Sequence, residues 1–271
     1  MHKPSSLRDY LIALLIAGAL LVGCTTYLLA RHGFLFDAPA MFDIWFVPNK
    51  AIGNAALLML ALTFLIGPIV RYFDRLDSWL GYRKEIGIIA ALLAIFHGFI
   101  SYSWLPKKFP QQWIDFTTIE FGAGLIGALV LGFLFIVSFK KAIMILEGSR
   151  WWFIQRFGLR LAILATIVHI VALKGNSWLR WFLTPNMIVS AEVLRPELPA
   201  LGLLSGLLLG WVIVVRIYES VVLFHDIGFS PKEIVMDPVI KARGRRFFLW
   251  SLFVTALLYC MTLLWFVSFL H

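Results

Sequence analysis

Seven long apolar segments constrain this chain more than any other feature of its sequence. Each is long enough to cross a bilayer, which takes about 20 residues of α-helix. A helix satisfies all of its backbone hydrogen bonds within the segment, as a lipid environment requires. The sequence therefore predicts an all-α, polytopic membrane bundle of about seven transmembrane helices. They are expected near residues 10–30, 50–71, 84–105, 118–139, 157–174, 199–222 and 247–270.

The overall composition agrees with a membrane protein. Hydrophobic residues make up 61% of the chain and charged residues only 14%, whereas a soluble domain carries about 25% charged residues. The net charge is +9, but the basic residues are spread through short segments between the helices, so nucleic-acid binding is not expected. The two cysteines, Cys24 and Cys260, lie in apolar segments and form no CxxC motif, which argues against a disulfide framework.

The distribution of Lys and Arg predicts the orientation of the chain. Seventeen of the 24 fall on one side of the predicted spans and seven on the other. The richer side is expected to be cytoplasmic, which places the N-terminus inside and His271 outside. We expect a transmembrane bundle over 1–222, a cytoplasmic segment over 223–246 and an additional transmembrane helix over 247–271. The expected location is the plasma membrane, as in a bacterial inner membrane.

Two local features allow more than one interpretation. The residues that end at Cys24 resemble a bacterial lipoprotein cleavage site, but the apolar run continues to Leu29, which favours a first transmembrane helix. In the sixth segment, Gly202, Gly206 and Gly210 recur every four residues, a pattern that lets two helix backbones approach closely. Their partner is either a neighbouring span of the same chain or a second copy or other membrane partner.

Two histidines, His97 and His169, lie inside the third and fifth apolar segments, where an ionisable residue is costly and is by default a functional hypothesis. Each lies thirteen residues beyond a basic residue, Lys84 or Arg156, and so about 20 Å from the same membrane edge. Two imidazoles at matched depth can bind the iron of one haem. Alternatively, each histidine only hydrogen-bonds to a neighbouring helix. The residues expected at the outer rim, where haem propionates would emerge, are Arg31, Trp104 and Lys174.

The stretches that contain these histidines resemble the ferric-reductase-like transmembrane domain family. The first runs from Leu80-Gly81-Tyr82-Arg83 to Ala94-Ile95-Phe96-His97, and the second from Ser138-Phe139-Lys140-Lys141 through Arg150-Trp151-Trp152 to His169. The branch that looks closest is the haem-binding membrane subunit of the bacterial methionine-sulfoxide reductase system. The resemblance covers about residues 50–175. It implies haem b held between spans three and five, and electron transfer across the membrane.

The chain departs from that family at the residues before the two histidines and in the region after about residue 175, which includes an extra seventh span. Family members commonly carry a second histidine about thirteen residues before one or both outer ones, which provides for a second haem. Lys84 and Arg156 occupy those positions here, and neither side chain is a usual ligand of haem iron. We therefore expect one haem b per chain. No GxGxxG motif follows, so a nicotinamide domain is not expected, and the donor would be a quinol, a flavin or a partner redox protein.

Three functions follow from these observations. The leading one is a haem b electron-transfer protein with its acceptor on the outer face; whether the chain is itself an oxidoreductase stays open. The second is a non-catalytic membrane assembly subunit that retains the fold, which the missing inner histidines favour. The third is a transporter, which is disfavoured because few acidic residues lie in the spans and no broken-helix pattern repeats between the two halves.

Overall fold

A computed structural model describes residues 7–31, 45–74, 77–104, 115–183, 187–189, 194–196, 198–223 and 238–268. Within these ranges, seven helices are long and apolar enough to cross a membrane. They are α1 (Leu7–Leu29), α2 (Phe46–Phe73), α3 (Asp77–Ser103), α4 (Ile119–Val137), α5 (Lys140–Leu183), α6 (Leu201–Tyr218) and α7 (Pro238–Ser268). The predicted all-α polytopic bundle is confirmed. A short antiparallel pair, β1 (Met187–Val189) and β2 (Leu194–Pro196), lies between α5 and α6, and a π-helical turn, Glu219–Leu223, extends α6.

Helix α2 is the central helix of the bundle and packs against α1, α3, α6 and α7. One face of α2 contributes Met59 and Leu60 to a core shared with α1, α3, α4 and α5. Another face contributes Leu57 and Phe64 to a core shared with α5, α6 and α7. The outer helices instead expose large apolar side chains, as a surface that faces lipid requires. Examples are Leu15, Leu129 and Met261.

The seven helices run alternately up and down, so the bundle has two distinct ends. At one end, Arg245 of α7 donates from Nε and Nη2 to the backbone oxygen of Tyr72, at 3.1 and 3.0 Å. This end, where α3, α5 and α7 begin, is called the basic end below. At the opposite end, the hydroxyl of Tyr27 donates to the backbone oxygen of Pro199 at 2.6 Å. The cytoplasmic placement of the basic end stays a prediction.

Three helices begin at least seven residues earlier than the apolar pattern predicts. Helix α3 starts at Asp77 rather than near 84, and α5 and α7 differ more. Helix α5 starts at Lys140 rather than near 157, with a non-helical residue at Glu147 (φ 59°, ψ 157°) that separates a short first segment from the span. Helix α7 starts at Pro238 rather than near 247. In α5 and α7, charged residues precede the apolar run, and these charged residues are already part of the helix. The rest of the predicted cytoplasmic segment, 224–237, lies outside the described residues.

The turn before α4 is fixed by Asp115. Its carboxylate accepts hydrogen bonds from the backbone N–H and the hydroxyl of Thr117, at 2.8 and 2.7 Å. These bonds stabilise the charged carboxylate and hold the pKa of Asp115 below its usual value. Thr118 donates its hydroxyl to the backbone oxygen of Asp115 at 2.8 Å, and the helix begins at the next residue. The turn thereby sets the position of the first residues of α4, which contact the site described next.

Candidate functional site

His97 of α3 points towards the first turn of α2. Its Nδ1 lies 3.0 Å from the backbone oxygen of Asn49 and 2.9 Å from the Oδ1 of the same residue. The Asn49 amide is buried and is itself held by a hydrogen bond from Nδ2 to the hydroxyl of Ser101 at 2.9 Å. Since both neighbours of Nδ1 are acceptors, Nδ1 carries the hydrogen and donates it. The second ring nitrogen, Nε2, therefore keeps a free lone pair.

His169 of α5 has the same arrangement against α4. Its Nδ1 lies 2.5 Å from the backbone oxygen of Glu120, so this nitrogen is again the donor. The accepting carbonyl belongs to a residue in the first turn of α4. The neutral ring again keeps its lone pair on Nε2. Both histidines thus have the tautomer that a metal ligand needs, with the other nitrogen held by the backbone.

A glycine on the neighbouring helix makes room for each imidazole. A Cβ added at Gly53 would lie 2.9 Å from Cε1 and 3.0 Å from Nδ1 of His97. A Cβ added at Gly124 would lie 2.8 Å from Nδ1 of His169. Distances this short mean that any larger residue at either position would displace the ring. Close approach of a helix backbone to a side chain is a common use of glycine.

These contacts form two similar half-sites, one in the hairpin α2–α3 and one in the hairpin α4–α5. In the first, the accepting carbonyl belongs to Asn49, the glycine follows four residues later and the histidine 48 residues later. In the second, the carbonyl belongs to Glu120, the glycine again follows four residues later and the histidine 49 residues later. The two imidazoles lie within electrostatic range of one another. The two hairpins therefore bring two equivalent ring nitrogens to one region of the bundle.

The chemistry of this donor set fits a haem. A structural zinc site needs four protein ligands, and the part of the chain described by the structure contains no group of three or more His, Cys, Asp or Glu residues that could hold a metal ion. A haem brings four nitrogens of its own and needs only axial ligands from the protein. Two neutral imidazoles, each oriented by a backbone carbonyl, are the side chains that would hold such a group here.

The three residues predicted at the rim lie at the end of the bundle opposite the basic end. Arg31 donates from Nε to the backbone oxygen of Leu198 at 3.0 Å. Lys174 is exposed on α5 and lies within electrostatic range of Arg31. Trp104 follows α3, and its ring packs against Trp45 with centroids 5.1 Å apart. Arg31 and Lys174 are thus brought near each other, while Trp104 lies beside the residue that precedes α2.

The sequence did not single out the residues that support the rings. Asn49 and Gly53 lie 48 and 44 residues before His97, and no periodicity within one helix links them. The available signal was the repeated spacing, in which a glycine at one position in each hairpin precedes the histidine by 44 or 45 residues. Thirteen residues from His169 towards the basic end, the guanidinium of Arg156 lies over the ring of Trp152, 4.8 Å from its centroid.

Comparison with known proteins gives one family match. Residues 52–166 match the family described as "Ferric reductase like transmembrane component". A search of curated proteins found no significant match. The matched residues include His97 and both supporting glycines, and they end three residues before His169. The similarity to this family therefore covers the chain from the first turns of α2 to the middle of α5.

Proposed function

We propose that this multi-pass membrane protein is a haem b-containing electron-transfer protein, with Nε2 of His97 and Nε2 of His169 as the axial ligands. The family match supports membrane electron transfer in general. A haem iron bound here would change between ferrous and ferric by one electron, and ligation by two histidines favours electron transfer over oxygen binding.

The observation that carries this proposal is that Nδ1 of each histidine donates to a backbone carbonyl on the neighbouring helix. Such a bond fixes the tautomer and the orientation of the ring and raises the basicity of the other nitrogen. A histidine that only joined two helices would also make one bond of this kind. Two such rings on separate hairpins, within electrostatic range of one another, support the proposal that both bind one iron.

The rim residues support the same proposal. Arg31 and Lys174 carry like charges within electrostatic range of one another, so an anion placed between them would be attracted by both. Haem propionates are anions that these two side chains would bind. Trp104 would contact the same edge of the cofactor, and tryptophan is well suited to the membrane interface, where its ring has both apolar and polar surroundings.

The position of the half-sites in the bundle indicates the side from which an electron acceptor would approach. The half-sites lie away from the basic end, so an acceptor would approach from the opposite, outer face. A quinol, a flavin or a partner redox protein would supply the electrons, and substrate turnover would belong to the partner. Lys84 and Arg156 at the inner positions favour one haem per chain. The resemblance to the membrane subunit of the methionine-sulfoxide reductase system supports a bacterial inner membrane location.

A second candidate is a non-catalytic assembly subunit with the same fold. The observation that favours it is the identity of the inner residues. Arg156 packs on Trp152 instead of offering an iron ligand, so the chain lacks one of the relay positions common in the family. In this case the two histidines would act only as hydrogen-bonding links between helices. They would contribute roughly 0.6–2 kcal/mol each to helix association.

Spectroscopy of the purified protein separates the two candidates. We expect one haem b per chain from the pyridine haemochromogen spectrum, and a low-spin spectrum of the intact protein. His97→Ala and His169→Ala should each give a high-spin spectrum or lose the haem while staying folded. His225→Ala, a loop histidine by sequence, is the matched control and should leave the spectrum unchanged. A wild-type protein without haem would favour the assembly subunit, and two haems per chain would contradict the expectation of a single haem.

A further inference from the structure

An arginine cluster surrounds one buried carboxylate at the basic end of the bundle. The side chain of Glu219, which is 2% exposed, is bound by two arginines: Arg71 of α2 donates from Nε to its Oε1 at 2.6 Å, and Arg216 of α6 donates to its Oε2. Both carboxylate oxygens are thus in use. The cluster is completed by arginines of α3 and α5 within electrostatic range. Its members are Arg71, Arg83, Arg156, Arg160 and Arg216.

Two of the guanidinium groups converge on one point of the backbone. A Cβ added at Gly67 would lie 3.2 Å from Nη2 of Arg71 and 3.6 Å from Nη1 of Arg216. The guanidinium of Arg216 also lies over the ring of Phe64, 5.2 Å from its centroid. The Nε of Arg216 is buried and has no hydrogen-bond partner. A strong donor therefore remains available beside a carboxylate whose oxygens are both occupied.

The cluster carries more positive charge than Glu219 can neutralise. Arg83 lies within electrostatic range of Arg71 and Glu219, yet no ion pair links it to a carboxylate among the described residues. Arg160 is close enough to influence Arg216, and its Nη2 lies 3.4 Å from the hydroxyl of Ser220. Arg71 and Arg156 have further partners, and Arg216 is paired with Glu219. The excess positive charge is therefore attributed to Arg83 and Arg160. Partly buried like charges at this spacing repel strongly unless an anion joins them.

We propose that the arginine cluster is a binding site for an anionic phosphate group, supplied by a lipid headgroup or by a soluble phosphate. Guanidinium groups match the geometry of phosphate oxygens and bind them through paired hydrogen bonds. The cluster lies where α2 and α6 end and α3 begins, which is the level at which headgroups meet transmembrane helices, and basic pockets between helices bind such headgroups. This site is at the opposite end of the bundle from the two histidines and does not depend on haem binding.

The test uses the full-length protein, depleted of lipid in a neutral detergent, at constant ionic strength in chloride so that screening does not change. The midpoint of thermal unfolding is measured against inorganic phosphate, and separately against phosphatidylglycerol in mixed micelles, with phosphatidylcholine as comparator. We expect a saturable rise. Arg83→Gln should weaken the apparent Kd about tenfold or more, because one charge-assisted hydrogen bond is lost. Arg150→Gln, an exposed arginine of α5, should leave the apparent Kd unchanged.

The two arms of the experiment distinguish the source of the phosphate. Saturation with inorganic phosphate alone, or with both ligands, identifies a site for a soluble phosphate, and saturation with phosphatidylglycerol alone identifies a headgroup site. If Arg83→Gln does not fold, Arg160→Gln at the edge of the cluster provides the same comparison. No saturable rise with either ligand, or equal affinities in the cluster variant and Arg150→Gln, would overturn the proposal. The chain's own carboxylates would then neutralise the cluster.

Discussion

At the scale of single residues, the position of each imidazole is set by a backbone carbonyl on one side and a glycine on the other. The carbonyls of Asn49 and Glu120 fix which ring nitrogen is free. Gly53 and Gly124 fix how closely each ring approaches the neighbouring helix. A side chain at either glycine would push the ring away from its carbonyl. The orientation of the free nitrogens therefore depends on two backbone carbonyls and on two residues that have no side chain.

Gly53→Ala tests this dependence at His97. The new Cβ would lie about 3 Å from three ring atoms, so the imidazole must move, and overpacking of this kind costs about 1–3 kcal/mol. We expect a lower midpoint of thermal unfolding and, in protein that contains haem, a loss of low-spin character in the visible spectrum. Gly98→Ala is the control, because a Cβ next to His97 on α3 meets nothing within 4 Å. Equal spectra and midpoints for the two variants would contradict the role assigned to Gly53.

Glu219→Gln tests the buried carboxylate at the basic end. The substitution removes the negative charge that Arg71 and Arg216 share, so both guanidinium groups lose this buried ion-pair partner. Breaking a buried pair in this way costs about 3–5 kcal/mol, and we expect the lower end because Arg71 is 32% exposed. Asp74→Asn is the control, since Asp74 pairs with Lys241 but is 68% exposed. Its loss should cost less than about 1 kcal/mol. Thermal unfolding in detergent measures the stability of both variants. Similar losses of stability in the two variants would contradict the structural role assigned to Glu219.

At the scale of helices, the glycine row of α6 faces two different environments. Gly202 and Gly206 lie against Trp178 of α5, and a Cβ at Gly206 would lie 3.1 Å from the indole. A Cβ at Gly210 would meet nothing within 4 Å. The first two glycines therefore let α5 and α6 approach each other within one chain. Gly210 is the member of the row that is free to contact another molecule, and a face for a second copy stays a prediction.

Gly206→Val and Gly210→Val distinguish the two environments. Valine has the same helix propensity at both positions, so any difference in stability between the two variants reflects packing. We expect Gly206→Val to lower the stability by about 1–3 kcal/mol, because the side chain collides with Trp178, and Gly210→Val to leave it nearly unchanged. Thermal unfolding and the oligomeric mass in detergent are measured together. A Gly210→Val variant that dissociates a dimer would show that this part of α6 is an interface between copies.

The helices themselves could be predicted from the sequence, since a run of about 20 apolar residues has few other structures available in a membrane. Their starts could not, because α5 and α7 extend through charged residues that hydropathy counts against a span. The histidine pair was predicted from matched depth. The supporting carbonyls and glycines were not, because a contact 48 residues apart leaves no periodic pattern and a backbone carbonyl has no side-chain identity.

At the scale of the whole molecule, charge and topology are linked. The described basic groups at the ends of α2 and α6 and at the starts of α3, α5 and α7 gather at one end of the bundle. A segment rich in Lys and Arg is retained in the cytoplasm during insertion. Seven spans then place the two termini on opposite sides. The same asymmetry would place the arginine cluster near the anionic inner leaflet and the two histidines nearer the outside.

Reporter fusions test this orientation. We expect a reporter that is active only outside the cytoplasm to work when fused after His271, and a reporter that is active only in the cytoplasm to work when inserted in 224–237. The reason is the excess of Lys and Arg on the side that includes 223–246. Insertion of either reporter in 105–114, between α3 and α4, is the control and should behave like the fusion at His271. The opposite pattern would show that the chain is inverted.

The two half-sites have a consequence for biogenesis. Each histidine finds its carbonyl and its glycine within its own helical hairpin, so each half is complete once that hairpin has entered the bilayer. About 70 residues of translation separate His97 from His169, which at 5–20 residues per second is on the order of several seconds. During that interval the first hairpin holds an oriented ring nitrogen that has no counterpart. If both histidines bind one haem, as proposed, insertion of α5 is the step that completes the pair of ligands.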